Sequence, residues 1–197
     1  MSLRAILDLL ALLACSMYGT IPLFWLVVHP LVERWRESGR RAFAFIIPVW
    51  SGFIAIAFLL MWPFRSVHVY ANWLAWAPAA IFFLVGFSIY GAAFQGFDRV
   101  QVSGLAELEP DRHRQQLITT GIRSRVRHPI YVGHLCEIIG WCIATGLVAL
   151  YALAAFAMIT GAVMIRIEDR ELETRFGDAF REYRRRVPGV LPRIRKT

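Results

Sequence analysis

No Gly-x-Gly triplet occurs anywhere in the 197 residues, which excludes the glycine-rich strand-to-helix turn on which soluble nucleotide-cofactor enzymes cradle their ligand. Cysteine is scarce as well. Cys15, Cys136 and Cys142 all fall in apolar runs and read as small apolar side chains, suggesting neither a disulfide framework nor a metal site. Charge is missing over long distances: Leu9 to Val28, Ala42 to Trp62 and Trp73 to Phe97 hold no Asp, Glu, Lys or Arg. Each reaches the roughly 20 residues that a helix needs to cross a bilayer. With 57% hydrophobic residues, 14% aromatic residues and a mean hydropathy of +0.50, the chain does not read as a soluble domain.

A fourth stretch, Ile130 to Ile165, carries one acid, Glu137, and is too long for a single crossing at about 1.5 Å per residue. It must fold back, with Gly146, just before Ala149-Leu150-Tyr151, as the expected turn. The fold class is therefore all-α integral membrane, with five transmembrane helices, the last two forming a helical hairpin, and a C-terminal helical tail. A buried pair of soluble helices is the alternative for the fourth stretch. Residues 1–97 form a three-helix scaffold in which Pro22, Pro48 and Pro78 are expected to kink helices. Leu12-Leu13-Ala14-Cys15 loosely resembles a lipoprotein cleavage site, but the apolar run continues to Val28 and little positive charge precedes it, so no cleaved leader is expected.

Arginine is nearly absent from alternate connections. His29 to Arg41 holds Arg34, Arg36, Arg40 and Arg41, Asp98 to Pro129 holds six arginines, and nine more with Lys196 follow from Arg166 onward. By contrast Pro63 to Asn72 has only Arg65, the turn near Gly146 has none, and the N-terminus has Arg4 alone. The positive-inside rule then predicts an N-terminus outside and a cytoplasmic C-terminus, in the inner membrane if the chain is bacterial. The net charge of +8 is mostly this asymmetry, with some attraction to anionic lipid. Basic and aromatic residues do not interleave on one soluble face, so no nucleic-acid partner is expected.

Two charged clusters, Arg127-His128-Pro129-Ile130-Tyr131 and Glu168-Asp169, flank the fourth stretch. A hairpin through lipid brings both to one membrane face, around one polar small molecule. Pro129 suits the first helical position and biases His128 away from helical geometry, so a helix is predicted to start there. Its free N–H groups and dipole, with Arg127 and His128 beside them, would form an anion pocket to which Tyr131 adds a hydroxyl. Glu168 and Asp169 would face an ammonium, ribose hydroxyls or another cation where the last helix leaves the membrane. Leu172 and Phe176 continue the Glu168 face, and Gly177 is the expected stop. Each piece alone has a plainer reading: an interfacial anchor for Arg-His, solvated helix surface for Glu-Asp, and mutual pairing or bundle lining for His134 and Glu137. Upstream, a polar connection from Asp98 leads to Leu117-Ile118-Thr119-Thr120-Gly121-Ile122, whose β-branched residues and glycine predict extended backbone and a turn.

From Leu117-Ile118-Thr119-Thr120-Gly121-Ile122, through Arg127-His128-Pro129-Ile130-Tyr131-Val132-Gly133, to Glu168-Asp169 with Leu172, Phe176-Gly177, Glu182-Tyr183-Arg184-Arg185-Arg186-Val187-Pro188 and Leu191-Pro192, the chain resembles the isoprenylcysteine carboxyl methyltransferases. These are integral membrane enzymes that use S-adenosylmethionine. The resemblance spans about Leu117 to Ile194, so residues 98–197 would be the cofactor-binding and catalytic half. It implies that Leu117 and Ile118 offer backbone contacts to S-adenosylmethionine, that His128, Tyr131, Glu168 and Asp169 line its pocket, and that Arg127 and Arg186 orient the acceptor, with Glu168 also counted as catalytic. The chain departs from the family pattern at Arg123, where an aromatic is usual, at Asp169, where a second glutamate is usual, and at Phe180, where a tyrosine is usual.

The implied reaction is methyl transfer to a lipophilic acceptor such as the carboxylate of an isoprenylated cysteine. Phospholipid amines and small thiols are alternative acceptors, and membrane lipid is the expected surrounding. A carboxylate is already ionised at neutral pH and needs no strong general base. A sterol-type reductase using NADPH carries a similar Arg-His-Pro-x-Tyr-x-Gly signature but commonly has an acid after the glycine, where this chain has His134. A scaffold or transporter would need polar residues along the first three spans, which lack them.

Overall fold

The computed structural model describes residues 2–95, 108–109 and 116–191; most of the polar connection expected from Asp98, and Pro192, lie outside the described residues. Seven α-helices are seen among them: α1 Leu3–Val28, α2 Val32–Ser38, α3 Phe43–Met61, α4 Trp76–Phe94, α5 Pro129–Thr145, α6 Val148–Phe176 and α7 Asp178–Arg186. No strand occurs among the described residues, apart from an isolated bridge between His68 and Leu147. Three helical segments, Leu3–Phe64, Trp73–Phe94 and Val148–Phe176, are long and apolar enough to cross a membrane, and α5 is a shorter apolar helix.

The Leu3–Phe64 segment does not run straight. A short 3-10 turn at His29–Leu31 and Gly39, at φ +53°, redirect it so that α3 packs back against α1. Their outward faces stay apolar: Leu59 on α3, Leu84 on α4 and Ile159 on α6 are each about two-thirds exposed, which only a lipid surrounding makes favourable. Pro22 and Pro48 lie inside α1 and α3. Pro78 sits in the first turn of α4 instead, where its missing N–H removes no helical bond.

Two contacts position the site. α5 lies against α4 so closely that Gly133 faces the Tyr90 ring and Gly140 faces the Phe83 ring; a Cβ on Gly133 would stand 2.6 Å from Tyr90. Small residues permit such approach where both sides are apolar and no hydrophobic drive separates helix from lipid. At the far end, Ala11, Leu12 and Cys15 of α1 bury against Ile138 and Cys142 of α5 and Leu150 and Leu153 of α6. The cysteines are thus packing residues, with Cys15 and Cys142 buried and none bridged.

α5 starts at Pro129 and ends where Gly146 takes φ +68°, the expected turn. α6 then runs 29 residues, and its second half is charged from Arg166. Gly177 separates it from α7, whose Phe180 and Tyr183 are buried while its arginines point out. At Gly146 an added Cβ would meet the Tyr70 carbonyl at 2.3 Å, in a backbone conformation that costs an L-residue about 1–2 kcal/mol. Gly146→Ala should therefore lower the melting temperature of the detergent-solubilised protein, whereas Gly52→Ala, in α3 with open space around it, should not; differential scanning fluorimetry checks the pair.

Candidate active site

The backbone leading into α5 is held from the C-terminal side. Arg127 N–H donates to the Pro188 carbonyl and His128 N–H to the Gly189 carbonyl, both at 2.9 Å. Tyr183 Oη donates to the Arg123 carbonyl at 2.6 Å, and Phe180, Tyr183 and Val187 bury against Leu117, Leu172 and Phe176. The segment after α6 thereby closes over the Arg-His-Pro turn. Phe180, where a hydroxyl would need a partner, is wholly buried.

The two charged clusters meet each other. Arg127 Nη2 lies 2.6 Å from Asp169 Oδ2, and Arg127 also donates to the Val187 carbonyl. His128 Nε2 is 2.9 Å from Asp169 Oδ1, and its Nδ1 is 3.1 Å from Glu168 Oε2. The second approach is a charge contact without hydrogen-bond alignment, because Glu168 Oε2 is buried and has no hydrogen-bond partner among the described residues. Burial alone would push His128 below its ordinary value; Glu168 and Asp169 outweigh it and raise the imidazole to about 9. His128 is therefore an imidazolium with both nitrogens committed, and it has none left to accept a proton.

Beside this cluster lies a cavity of about 200 Å³ lined by Leu117, Ile118, Arg127, His128, Tyr131 and Glu168 among others. Leu117 and Ile118 pass it outside any helix before the 3-10 turn at Gly121–Ser124, and among the described residues their peptide groups bond to no other backbone. Of the eight residues to which the resemblance assigns catalytic or cofactor roles, six border this space. Asp169 stands behind it, holding Arg127 and His128, and Arg186 lies on the exposed side of α7 beside Glu182. Tyr131 Oη does not turn toward an anion pocket but donates to Met164 Sδ at 3.3 Å.

Other wall residues were not singled out. Trp25 and His29 come from the end of α1, with their rings stacked at 5.2 Å, and His29 pairs with Glu171, which also holds Arg175. The signal for His29 was present, since His29-Pro30 repeats the His-Pro pair of the motif at the end of another apolar run. Arg123 also lines the cavity, and its Nη1 donates to the Ala93 carbonyl at the end of α4 at 2.6 Å.

A second cavity of about 220 Å³ lies on the apolar side, between α1, α5 and α6, lined by Tyr18, Pro22, Ile138, Ala157 and Gly161 among others. It shares two wall residues with the first, Tyr131 and His134. Its lining contains no Arg, Lys, Asp or Glu.

The phospholipid methyltransferase family model matches residues 74–179, more than half of the chain, including α4, α5 and α6. The chain belongs to the phospholipid methyltransferase family. This is an integral membrane methyltransferase family of the isoprenylcysteine-methyltransferase type, as the sequence resemblance implies. The chain is similar to methanethiol S-methyltransferase 2 of Bradyrhizobium diazoefficiens, 31% identical over 92% of this chain and 61% of that protein. It is also similar to the cobalt-zinc-cadmium resistance protein CzcN of Cupriavidus metallidurans and the nickel-cobalt-cadmium resistance protein NccN of Alcaligenes xylosoxydans xylosoxydans, 42% and 40% identical over 42% of this chain. It spans 61%, 38% and 39% of the length of these relatives. No solved structure matches it.

In this phospholipid methyltransferase family member the charge cluster has measurable consequences. Asp169→Asn leaves Arg127 and His128 buried side by side with less compensation and should cost about 3–5 kcal/mol, read by thermal denaturation in detergent. Because the folded-state pKa of His128 is raised, its stabilisation is complete below pH 6.5 and is lost as pH rises through about 9. The melting temperature of the unliganded protein should fall across that window, and the fall should be shallower in His128→Gln.

Proposed function

We propose that the chain is an S-adenosylmethionine-dependent methyltransferase acting on a small lipophilic acceptor that enters from the bilayer. The observation that carries this reading is the pair of adjoining cavities, one polar and one apolar, meeting at Tyr131 and His134. S-adenosylmethionine, when bound, supplies an electrophilic methyl group on a sulfonium.

The residues present fit such a group. Glu168 Oε2 is a buried carboxylate oxygen that faces His128 Nδ1 at 3.1 Å but has no aligned hydrogen-bond donor among the described residues, which leaves it capacity to accept from an ammonium or ribose hydroxyls. Leu117 and Ile118 offer backbone groups beside it, and His128 and Tyr131 complete that wall. Asp169 acts one step back, by fixing Arg127 and His128.

The acceptor takes the apolar cavity. A space of about 220 Å³ exceeds the ~150 Å³ that holds benzene and falls below the ~300 Å³ at which drug-sized sites begin. A small thiol fits both that size and the methanethiol in the name of the Bradyrhizobium relative. An isoprenylated cysteine, the acceptor that the sequence resemblance implies, is the second reading. Its tail suits the apolar wall, but its carboxylate would need a guanidinium, and Arg127 is held by Asp169 while Arg186 lies with Glu182.

We further propose five crossings, with α1, α3, α4, α5 and α6 as spans, the N-terminus outside and the polar cavity at the cytoplasmic face, in agreement with the arginine distribution. The detergent-solubilised protein should bind S-adenosylmethionine or its demethylated product at micromolar strength and NADPH far more weakly. Calorimetry that ranks NADPH first would overturn the methyltransferase reading in favour of a reductase. Glu168→Gln should weaken donor binding by about tenfold, the value of one charge-assisted hydrogen bond.

A further inference from the structure

His134 lies where the two cavities meet, and the chemistry of a thiol acceptor raises a need that this side chain is placed to meet. The nucleophile of a thiol is its thiolate. An ordinary thiol ionises near pH 8.5, and an apolar cavity favours its neutral form further. A base within reach is therefore required, as it is not for a carboxylate.

The other titratable groups described nearby are held by partners or lie off the apolar cavity, Glu168 lining only the polar one. His128 has both nitrogens against carboxylates. Tyr131 donates to Met164. Glu137, one turn along α5, faces α4 rather than either cavity, where a Cβ on Gly86 would stand 2.5 Å from its Oε1. Cys136, also on α5, borders neither cavity.

His134 differs from all of these. Its Nδ1 is 2.5 Å from Tyr90 Oη of α4, and its Nε2 has no hydrogen-bond partner among the described residues. The ring is boxed by Tyr18 of α1 at 5.5 Å, Tyr90 at 5.4 Å and Tyr131 at 6.2 Å, the last edge-on. From α6 the shared cavity presents only Ala157, Met158, Gly161, Ala162 and Ile165. Among the described residues no Arg, Lys, Asp or Glu lines that apolar cavity with His134, while Arg127, His128 and Glu168 share the polar cavity with it.

We propose that His134 is the proton acceptor for a small thiol seated in the apolar cavity, with Tyr90 as the positioning residue that fixes its tautomer. The inference rests on the methyltransferase reading. In the tautomer with hydrogen on Nδ1, Nδ1–H donates to Tyr90 Oη and Nε2 is the acceptor. The S–H bond breaks, an N–H bond forms at Nε2, and both electrons remain on sulfur. The result is a thiolate beside an imidazolium, neutral as a pair, which keeps a lone charge out of the apolar cavity.

Two measurements on the whole detergent-solubilised protein test this. With propanethiol as probe, His134→Gln should lower kcat/KM at pH 7 by about 10²- to 10⁴-fold, with the loss recovered as pH rises toward the thiol's own ionisation. S-adenosylmethionine affinity should change little by comparison, and Tyr90→Phe should fall between the two enzymes. In the unliganded protein labelled with ¹⁵N-histidine, propanethiol should move the His134 Nε2 resonance while butane does not, a readout that needs neither donor nor turnover. Equal thiol methylation by wild type and His134→Gln, or an unmoved Nε2 resonance, would overturn the inference and leave the methyltransferase reading standing. Failure of the wild-type protein to bind S-adenosylmethionine would instead remove that reading itself.

Discussion

A buried, neutral four-charge cluster organises the site half of this protein. Arg127 and the His128 imidazolium carry two positive charges; Asp169 and Glu168 return two negative ones. Desolvating any one of them alone would cost several kcal/mol, so they can be buried only together. That requirement ties the start of α5 to the emerging end of α6. The Arg127 bond to the Val187 carbonyl and the 127–128 to 188–189 backbone pairing tie both to the segment beyond α7. Three parts of the chain distant in sequence are thereby held at one face.

The same cluster divides labour among its members. Asp169 bonds to both cations, whereas Glu168 keeps one oxygen that has no aligned donor among the described residues. Had position 169 been a glutamate, the longer arm would have let the second carboxylate compete for the cavity. With aspartate there, the unsatisfied oxygen belongs to Glu168 alone. Position 123 follows similar logic: a buried guanidinium replaces an aromatic and reaches the Ala93 carbonyl, which couples the cavity wall to the end of α4.

Much of the helical framework was legible because its signals are local. Charge-free runs, Pro129 at a helix start, Gly146 as a left-handed stop and Gly177 as the break before α7 each depend on a few adjacent residues. The Arg-His and Glu-Asp clusters could likewise be placed near each other from topology. Their opposite roles toward a ligand could not, because whether charges face a ligand or each other depends on a few ångströms of helix approach. That distance is set by Gly133 and Gly140 against Tyr90 and Phe83, pairings between residues some 50 positions apart for which a single sequence carries no mark. Trp25 in the wall from α1 was missed for the same reason, whereas His29 carried a mark in its His-Pro pair. Whether α1 and α3 are separate crossings was a matter of run length, and the break at His29-Pro30 and Gly39 supplies the geometry for it.

The contrast between His128 and His134 shows how one helix supports two chemistries within two turns. Both imidazoles line the polar cavity, yet one is surrounded by carboxylates and the other by tyrosines. Carboxylates make an imidazole a fixed cation; a single phenol orients it and leaves its second nitrogen open. Moving from His128 to His134 along α5 is also moving from the polar face toward lipid. In the function proposed above, the site would thus change from one that binds charge to one that handles a neutral, apolar molecule. A donor that is charged and an acceptor that is not would approach such a junction from opposite sides, one from water and one from the bilayer, so neither need cross the other's path.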